Sequence, residues 1–214
     1  VSIVTNQNAL AKGVLSASGL AGIHRDMLQQ LRQGRPQSST TDTEPREEDA
    51  VIDAIFFATG EPEKSRGERG GEDAADFAPI AEPQGSLRGF ALKPAGDLPR
   101  AALALAGSDP EEAALVGDNY RDLVAGLRAG VKSLHLVVSS PYGIQAREWL
   151  EGGAGAAALE AEMAGRFKVN EAERAGLRAH VRVHRDLAAC VQWMLAGDNL
   201  DFRAKAKTSR VNGQ

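Results

Sequence analysis

The chain has 214 residues, 43% of them hydrophobic and 25% charged, and a formal net charge of −4. That length suits one ordinary α/β domain, and the acidic balance argues against binding driven by attraction to nucleic-acid phosphates. Cys190 is the single cysteine, which argues against an internal disulfide and against a Cys-based zinc site. No run approaches the ~18 apolar residues that a membrane span needs. The chain starts at Val1, inside an apolar run and without a Met, so it reads as an N-terminally incomplete piece.

Val1 to Thr5 is a strand pattern closed by Asn6-Gln7-Asn8. Ser16 to Gln33 is helical, with Leu20, Ile23, Met27 and Leu31 on one stripe at spacings of three and four. Residues 34–49 are rich in Ser, Thr, Pro and Glu and read as a mobile insertion. Val51 to Phe57 is a second strand, and residues 60–89, poor in apolar groups, read as another insertion. Asp97 with Pro99 opens a helix that runs through Ala106 and stops at Gly107. Ala113 to Val116 is a short strand leading into Gly117-Asp118, followed by a helix from Arg121 to Ala129 that Gly130 ends. Ser133 to Val138 is apolar enough to be buried on both faces, as parallel strands usually are. Ala156 to Arg178 forms one or two surface helices, with Asn170 and Glu173 spaced as a capping pair. Val181 to Val183 is an edge strand, Asp186 to Leu195 a last helix with Leu187, Val191 and Met194 inward, and 197–214 a disordered tail. Strands alternating with helices imply a parallel sheet, here a doubly wound one in a single domain over residues 1–196.

Three places put polar groups where such a sheet exposes its chemistry, at the carboxyl ends of strands. Asp118 follows a strand and Gly117, and Asp122 lies one helical turn on. Hard oxygen donors on a tight turn suit magnesium, which takes one or two protein carboxylates and keeps several waters. Helix capping by Asp118 or Asn119, with Asp122 near the positive helix end, explains the same residues without a metal. Thr5, Asn6 and Gln7 offer a hydroxyl and amides to phosphate oxygens, and Lys12 lies in the loop beyond, although a turn alone accounts for the pattern. Lys93 precedes Pro94, which keeps it extended; there an ammonium would offset phosphoryl charge or simply be a solvated surface residue. His24, His135, His180 and His184 are scattered without metal-ligand spacing, and Cys190 reads as a small core residue. Arg203, Lys205, Lys207 and Arg210 make a modest basic tail, read as a solvated terminus.

The order of Val4-Thr5-Asn6-Gln7 with Ala11-Lys12-Gly13, then Lys93-Pro94, then Gly117-Asp118-Asn119-Tyr120-Arg121-Asp122-Leu123 with Ala129-Gly130-Val131 resembles the haloacid dehalogenase (HAD) superfamily of phosphohydrolases. More narrowly it is similar to the heptose-bisphosphate and histidinol-phosphate phosphatases, over residues 1 to about 140. The resemblance implies a Rossmannoid, HAD-like fold and a magnesium-dependent phosphatase acting on a small sugar or polyol phosphate through an aspartyl-phosphate. It implies that Thr5 hydrogen-bonds the transferring phosphoryl group and Lys93 stabilises its charge. Asn6, Gln7 and Lys12 would contact substrate, Asp118 and Asn119 would serve the metal, and Asp122 would support the loop.

The sequence departs from that pattern in three ways. The family's nucleophile and acid/base aspartates have no counterpart, the earliest aspartate being Asp26 in mid-helix. Residues Phe56 to Leu92 contain neither Cys nor His, so the zinc loop of the heptose-bisphosphate enzymes is absent and no zinc is expected. Leu92 stands where an arginine often precedes the lysine, and Ala9 where glycine is usual. These residues are therefore expected to be inactive alone, with the nucleophile supplied upstream; a catalytically inactive HAD-like binding module is the alternative. The expected partner is a small phosphorylated molecule rather than nucleic acid or membrane, and the expected location is the cytoplasm.

Overall fold

A computed structural model describes residues 1–33, 52–59, 90–153 and 156–196. The insertions expected at 34–49 and 60–89 and the tail at 197–214, with its basic residues, lie outside the described residues. Two compact units divide the chain, Val1–Leu92 and Lys93–Gln214.

In the first unit, β1 (Ser2–Asn6) and β2 (Ala54–Ala58) pair in parallel, from Ser2 opposite Ala54 to Asn6 opposite Ala58. Side chains alternate across a strand, so Ala54, Phe56 and Ala58 are buried while Ile55 and Phe57 are half-buried. The loop expected after β1 contains a single helical turn, α1 (Asn8–Ala11), before Gly13. Helix α2 (Ala17–Gln33) starts where Ser16 Oγ accepts the Gly19 N–H at 3.0 Å. Along its apolar stripe Leu20 is 1% exposed, whereas Ile23 and Leu31 are exposed.

The second unit is a three-stranded parallel sheet in the order β3-β4-β5. Its elements are α3 (Asp97–Ala106), a 3-10 turn (Pro110–Glu112), β3 (Ala114–Gly117), α4 (Tyr120–Arg128) and β4 (Ser133–Val137). Then follow α5 (Pro141–Leu150), α6 (Ala156–Gly165), α7 (Glu171–His180), β5 (Val181–His184) and α8 (Leu187–Leu195). Helix α3 ends in paired bonds from Gly107 N–H to the Ala104 carbonyl and from Ser108 N–H to the Leu103 carbonyl, the Schellman arrangement.

Helices cover both faces of this sheet. On one face α4 presses against Leu115 and Leu134; a Cβ on Gly126 would sit 2.7 Å from Leu134 Cδ2, so a glycine is what permits the close approach. On the other face, reached by His135 through the alternation, lies α8. The core joins Leu115, Leu123, Leu134 and Leu136 to Trp149, Leu159, Met163 and Leu177. The single stretch Ala156 to Arg178 is two helices, the second opened by the expected Asn170–Glu173 capping box. Helix α5 has no counterpart in the sequence expectations, although Ser140 and Pro141 are an N-cap and first-turn pair. The inward face expected for α8 is also corrected: Leu187 and Val191 are exposed, Met194 is half-buried, and Cys190 is the fully buried residue. Its partner surface carries imidazoles, which select the Cys190 and Trp193 side. No helix among the described residues is long and apolar enough to cross a membrane.

Candidate active site

The loop after β3 is built by one short carboxylate. Asn119 is the N-cap of α4, its Oδ1 accepting the Arg121 N–H at 3.0 Å. Asp122, at the third helical position, returns the favour through Oδ2, which accepts the Asn119 N–H at 3.2 Å. Its other oxygen, Oδ1, takes Lys93 Nζ at 2.5 Å, with the two side chains 11% and 12% exposed. Asp122 thus closes the helix and fixes the cation together.

Gly117 is part of the same device. A Cβ there would fall 2.3 Å from Asp122 Cβ and 2.7 Å from its Oδ2, so the strand end must be bare for the carboxylate to lie against it. The spacing Gly-Asp-x-x-x-Asp is therefore a packing requirement as well as a chemical one.

Asp118 projects from this frame. It is exposed, and among the described residues its carboxylate enters no hydrogen bond or ion pair. Its backbone is held: the carbonyl accepts from Ser140 Oγ at 3.1 Å, and the same oxygen caps α5 by accepting the Gly143 N–H at 3.1 Å. Ser140 ties the loop after β4 to the loop after β3, the two carboxyl-end loops of adjacent parallel strands. The donors on offer to a cation are the Asp118 carboxylate and the Asn119 amide oxygen, which keeps a second lone pair beyond its bond to Arg121. A single carboxylate with neutral oxygens fits the sparse protein share of a magnesium shell.

Lys93 is not the lone cation that its sequence context suggests. Besides its bond to Asp122, the turn that carries it, with a cis Lys93–Pro94 peptide, is held from behind by Arg128. Arg128 Nη1 donates to the Pro94 carbonyl at 3.2 Å and Nη2 to the Phe167 carbonyl at 3.1 Å, while Nε reaches Glu173 Oε1 at 2.7 Å. That guanidinium holds the Glu173 carboxyl below its usual range, hydrogen bonding outweighing burial. Sequence reasoning passed over Arg128 and Ser140. Ser140-Pro141 carried a helix-start signal, whereas nothing local marks Arg128, whose partners lie 34 to 45 residues away.

The second unit therefore brings together Lys93, Asp118, Asn119 and Asp122. Thr5, Asn6, Gln7 and Lys12 belong to the first unit: Thr5 and Asn6 finish β1, Gln7 Nε2 donates to Thr5 Oγ1 at 3.3 Å, and Lys12 is exposed beyond α1. Among the described residues Thr5, Asn6 and Gln7 bring no carboxylate to that strand end, and Asp26 is exposed on α2.

Residues 91–160 match the family described as HAD-hydrolase-like. Over 41 residues the chain is 51% identical to pyrophosphatase PpaX of Bacillus velezensis, a stretch covering 19% of each protein. The chain thus spans about a fifth of that curated relative. Its fold is similar to that of D,D-heptose 1,7-bisphosphate phosphatase from B. bronchiseptica, crystallised with magnesium and phosphate, at a TM-score of 0.53 and 24% identity. That likeness covers 91% of this chain and 73% of the other. Across residues 91–160, which carry Asp118 and Asp122, the chain is thus similar to the haloacid dehalogenase superfamily, and its parallel α/β fold is of the same Rossmannoid kind.

Proposed function

We propose that the chain is part of a magnesium-dependent phosphomonoester hydrolase acting on a small sugar or polyol phosphate, of the heptose-bisphosphate kind. The observation that carries this is the Asp122-centred frame, which fixes the Lys93 ammonium while leaving the Asp118 carboxylate exposed at the same strand end. Asp118, with Asn119, would hold the magnesium ion, which when bound supplies charge neutralisation for a phosphate ester. Lys93 offsets the charge that builds on the equatorial oxygens as the phosphoryl group moves, and Asp122 positions it. For Thr5 on the phosphoryl group and for Asn6, Gln7 and Lys12 on substrate, the support is the resemblance of the motifs.

The covalent step needs a carboxylate that Thr5, Asn6 and Gln7 do not supply. An aspartate oxygen would attack phosphorus while the ester P–O bond breaks, and the leaving alkoxide would take its proton from the second aspartate of the pair, which would recover one from the attacking water. Water would then hydrolyse the aspartyl-phosphate. The bare end of β1 favours a second reading, a catalytically inactive module that binds the phosphorylated ligand without turning it over.

A substrate panel separates these. Phosphate release is measured for sugar mono- and bisphosphates, polyol phosphates and pyrophosphate, the last because of the pyrophosphatase relative. The protein is the chain extended at Val1 by a strand bearing the Asp-x-Asp pair. Turnover of sugar or polyol phosphates above pyrophosphate supports the hydrolase; saturable binding without turnover supports the module; preferred turnover of pyrophosphate rejects the proposed substrate class.

A further inference from the structure

The chain's cysteine and two of its histidines meet on the sheet face opposite α4. His135 Nδ1 lies 3.0 Å from His184 Nε2, and with Cys190 Sγ these donor atoms all fall within 4.8 Å of one another. Each residue is buried: His135 and Cys190 at 0% exposure, His184 at 9%. Parallel pairing of Val137 with His184 puts His135 and His184 on one face, because side chains two apart share a side. Helix α8 then lays Cys190 and Trp193 over them, the indole 5.3 Å from the His135 ring and 5.8 Å from the His184 ring.

We propose that His135, His184 and Cys190 form a site for a thiophilic divalent cation of the zinc class, made of residues that the phosphatase reading does not use. Two imidazoles and a thiolate are the donors that select such an ion over magnesium. In a tetrahedral zinc shell, neighbouring N and S donors stand roughly 3.3–3.6 Å apart given the usual bond lengths. The imidazole pair needs to open by only a few tenths of an ångström. Orientation is already set on His135: its other nitrogen, Nε2, lies 2.9 Å from Ser133 Oγ, the outer contact that turns a ligating ring's free nitrogen inward.

Binding exchanges the His135–His184 hydrogen bond for two metal–nitrogen bonds, and the Cys190 S–H for a metal–sulfur bond with release of one proton. Arg182 opposes it, its guanidinium lying 4.5 Å over the Trp193 ring. The thiolate cancels one of the two charges that the ion brings. The fourth position is left to water.

Cobalt(II) titrated into the metal-stripped 214-residue chain provides the test. Cys190 is the single cysteine, so a thiolate-to-cobalt charge-transfer band reports it alone. The expected result is one cobalt per chain, displaced by equimolar zinc and untouched by excess magnesium. Cys190→Ser should abolish the band, and Ser133→Ala should weaken cobalt binding about 10-fold. His184→Gln should weaken it further. Circular dichroism confirms that each variant is folded, and the mild Ser133→Ala keeps the test open if a ligand variant is not. No band from the folded wild-type chain overturns the proposal. So does a band left at full strength by Ser133→Ala and by every folded histidine variant.

Discussion

Asp122→Asn is the substitution that most sharply tests the frame around Lys93. Two donors converge on this carboxylate, Lys93 Nζ on Oδ1 at 2.5 Å and the Asn119 N–H on Oδ2 at 3.2 Å. An asparagine of the same shape has one acceptor and one NH2 group, so it satisfies one donor and turns a donor toward the other. With the partners 11% and 12% exposed, solvent screens the pair poorly and removing the countercharge is costly. Losing one charge-assisted bond there should cost about 2 kcal/mol of unfolding free energy. Lys93 has a further interaction that neither variant isolates; a double-mutant cycle with Lys93→Met subtracts it. Urea unfolding followed by circular dichroism should give a favourable coupling of about 1–2 kcal/mol. Coupling within ~0.4 kcal/mol of zero among folded variants would show that the pair does not form, and the argument for a fixed cation would fail.

Gly117→Ala places a methyl 2.3 Å from Asp122 Cβ, and should lower the urea-derived stability by about 2 kcal/mol; a neutral result would remove the packing explanation of the motif. Arg128→Met strips the Glu173 pair and the bonds to the Pro94 and Phe167 carbonyls. It should cost on the order of 2–3 kcal/mol, with loss below ~0.5 kcal/mol counting against its role in holding the Lys93 turn. Burial first, then the charges of His184 and Arg182, push His135 down to about 4, and burial followed by Arg182 lowers His184. Lowered folded values mean that the unfolded chain binds these protons more readily. The stability they protect is therefore complete above pH ~6.5 and lost as pH falls toward 4, by about 3 kcal/mol for His135 alone. A urea midpoint that stays flat between pH 6.5 and 4.5 would contradict this.

Local pattern in the sequence located most elements because each carries its own boundary chemistry. Asp97, Pro99 and Gly107 bracket α3 as expected, and the Asn170–Glu173 box opens α7. What local pattern missed depends on partners far along the chain. Helix α8 is apolar on most sides, with Leu187, Cys190, Val191, Trp193, Met194 and Leu195, so periodicity could not choose its face; the imidazoles of β4 and β5 did. Leu31 shares a helical stripe with Leu20 yet is exposed, since a stripe states what could be buried and not what covers it. At the site, Asp118 and Asp122 were legible from Gly117 and the following helix. Their division of labour was not: the Lys93 partnership spans 29 residues, and Asn119 emerges as a helix cap whose amide oxygen is already in use once. The convergence of His135, His184 and Cys190 follows from strand register, which no spacing rule encodes.

The central claim is that Asp118 and Lys93 serve phosphoryl transfer, and the most direct measurement is magnesium-dependent release of phosphate from an aryl phosphate. The chain extended at Val1 by a strand carrying the Asp-x-Asp pair should turn over, and Asp118→Ala and Lys93→Met should each reduce the rate by about 10²-fold or more. The 214-residue chain alone should show no turnover. Activity in the 214-residue chain that survives further purification, or activity in the extended chain that both substitutions leave intact, would contradict the account.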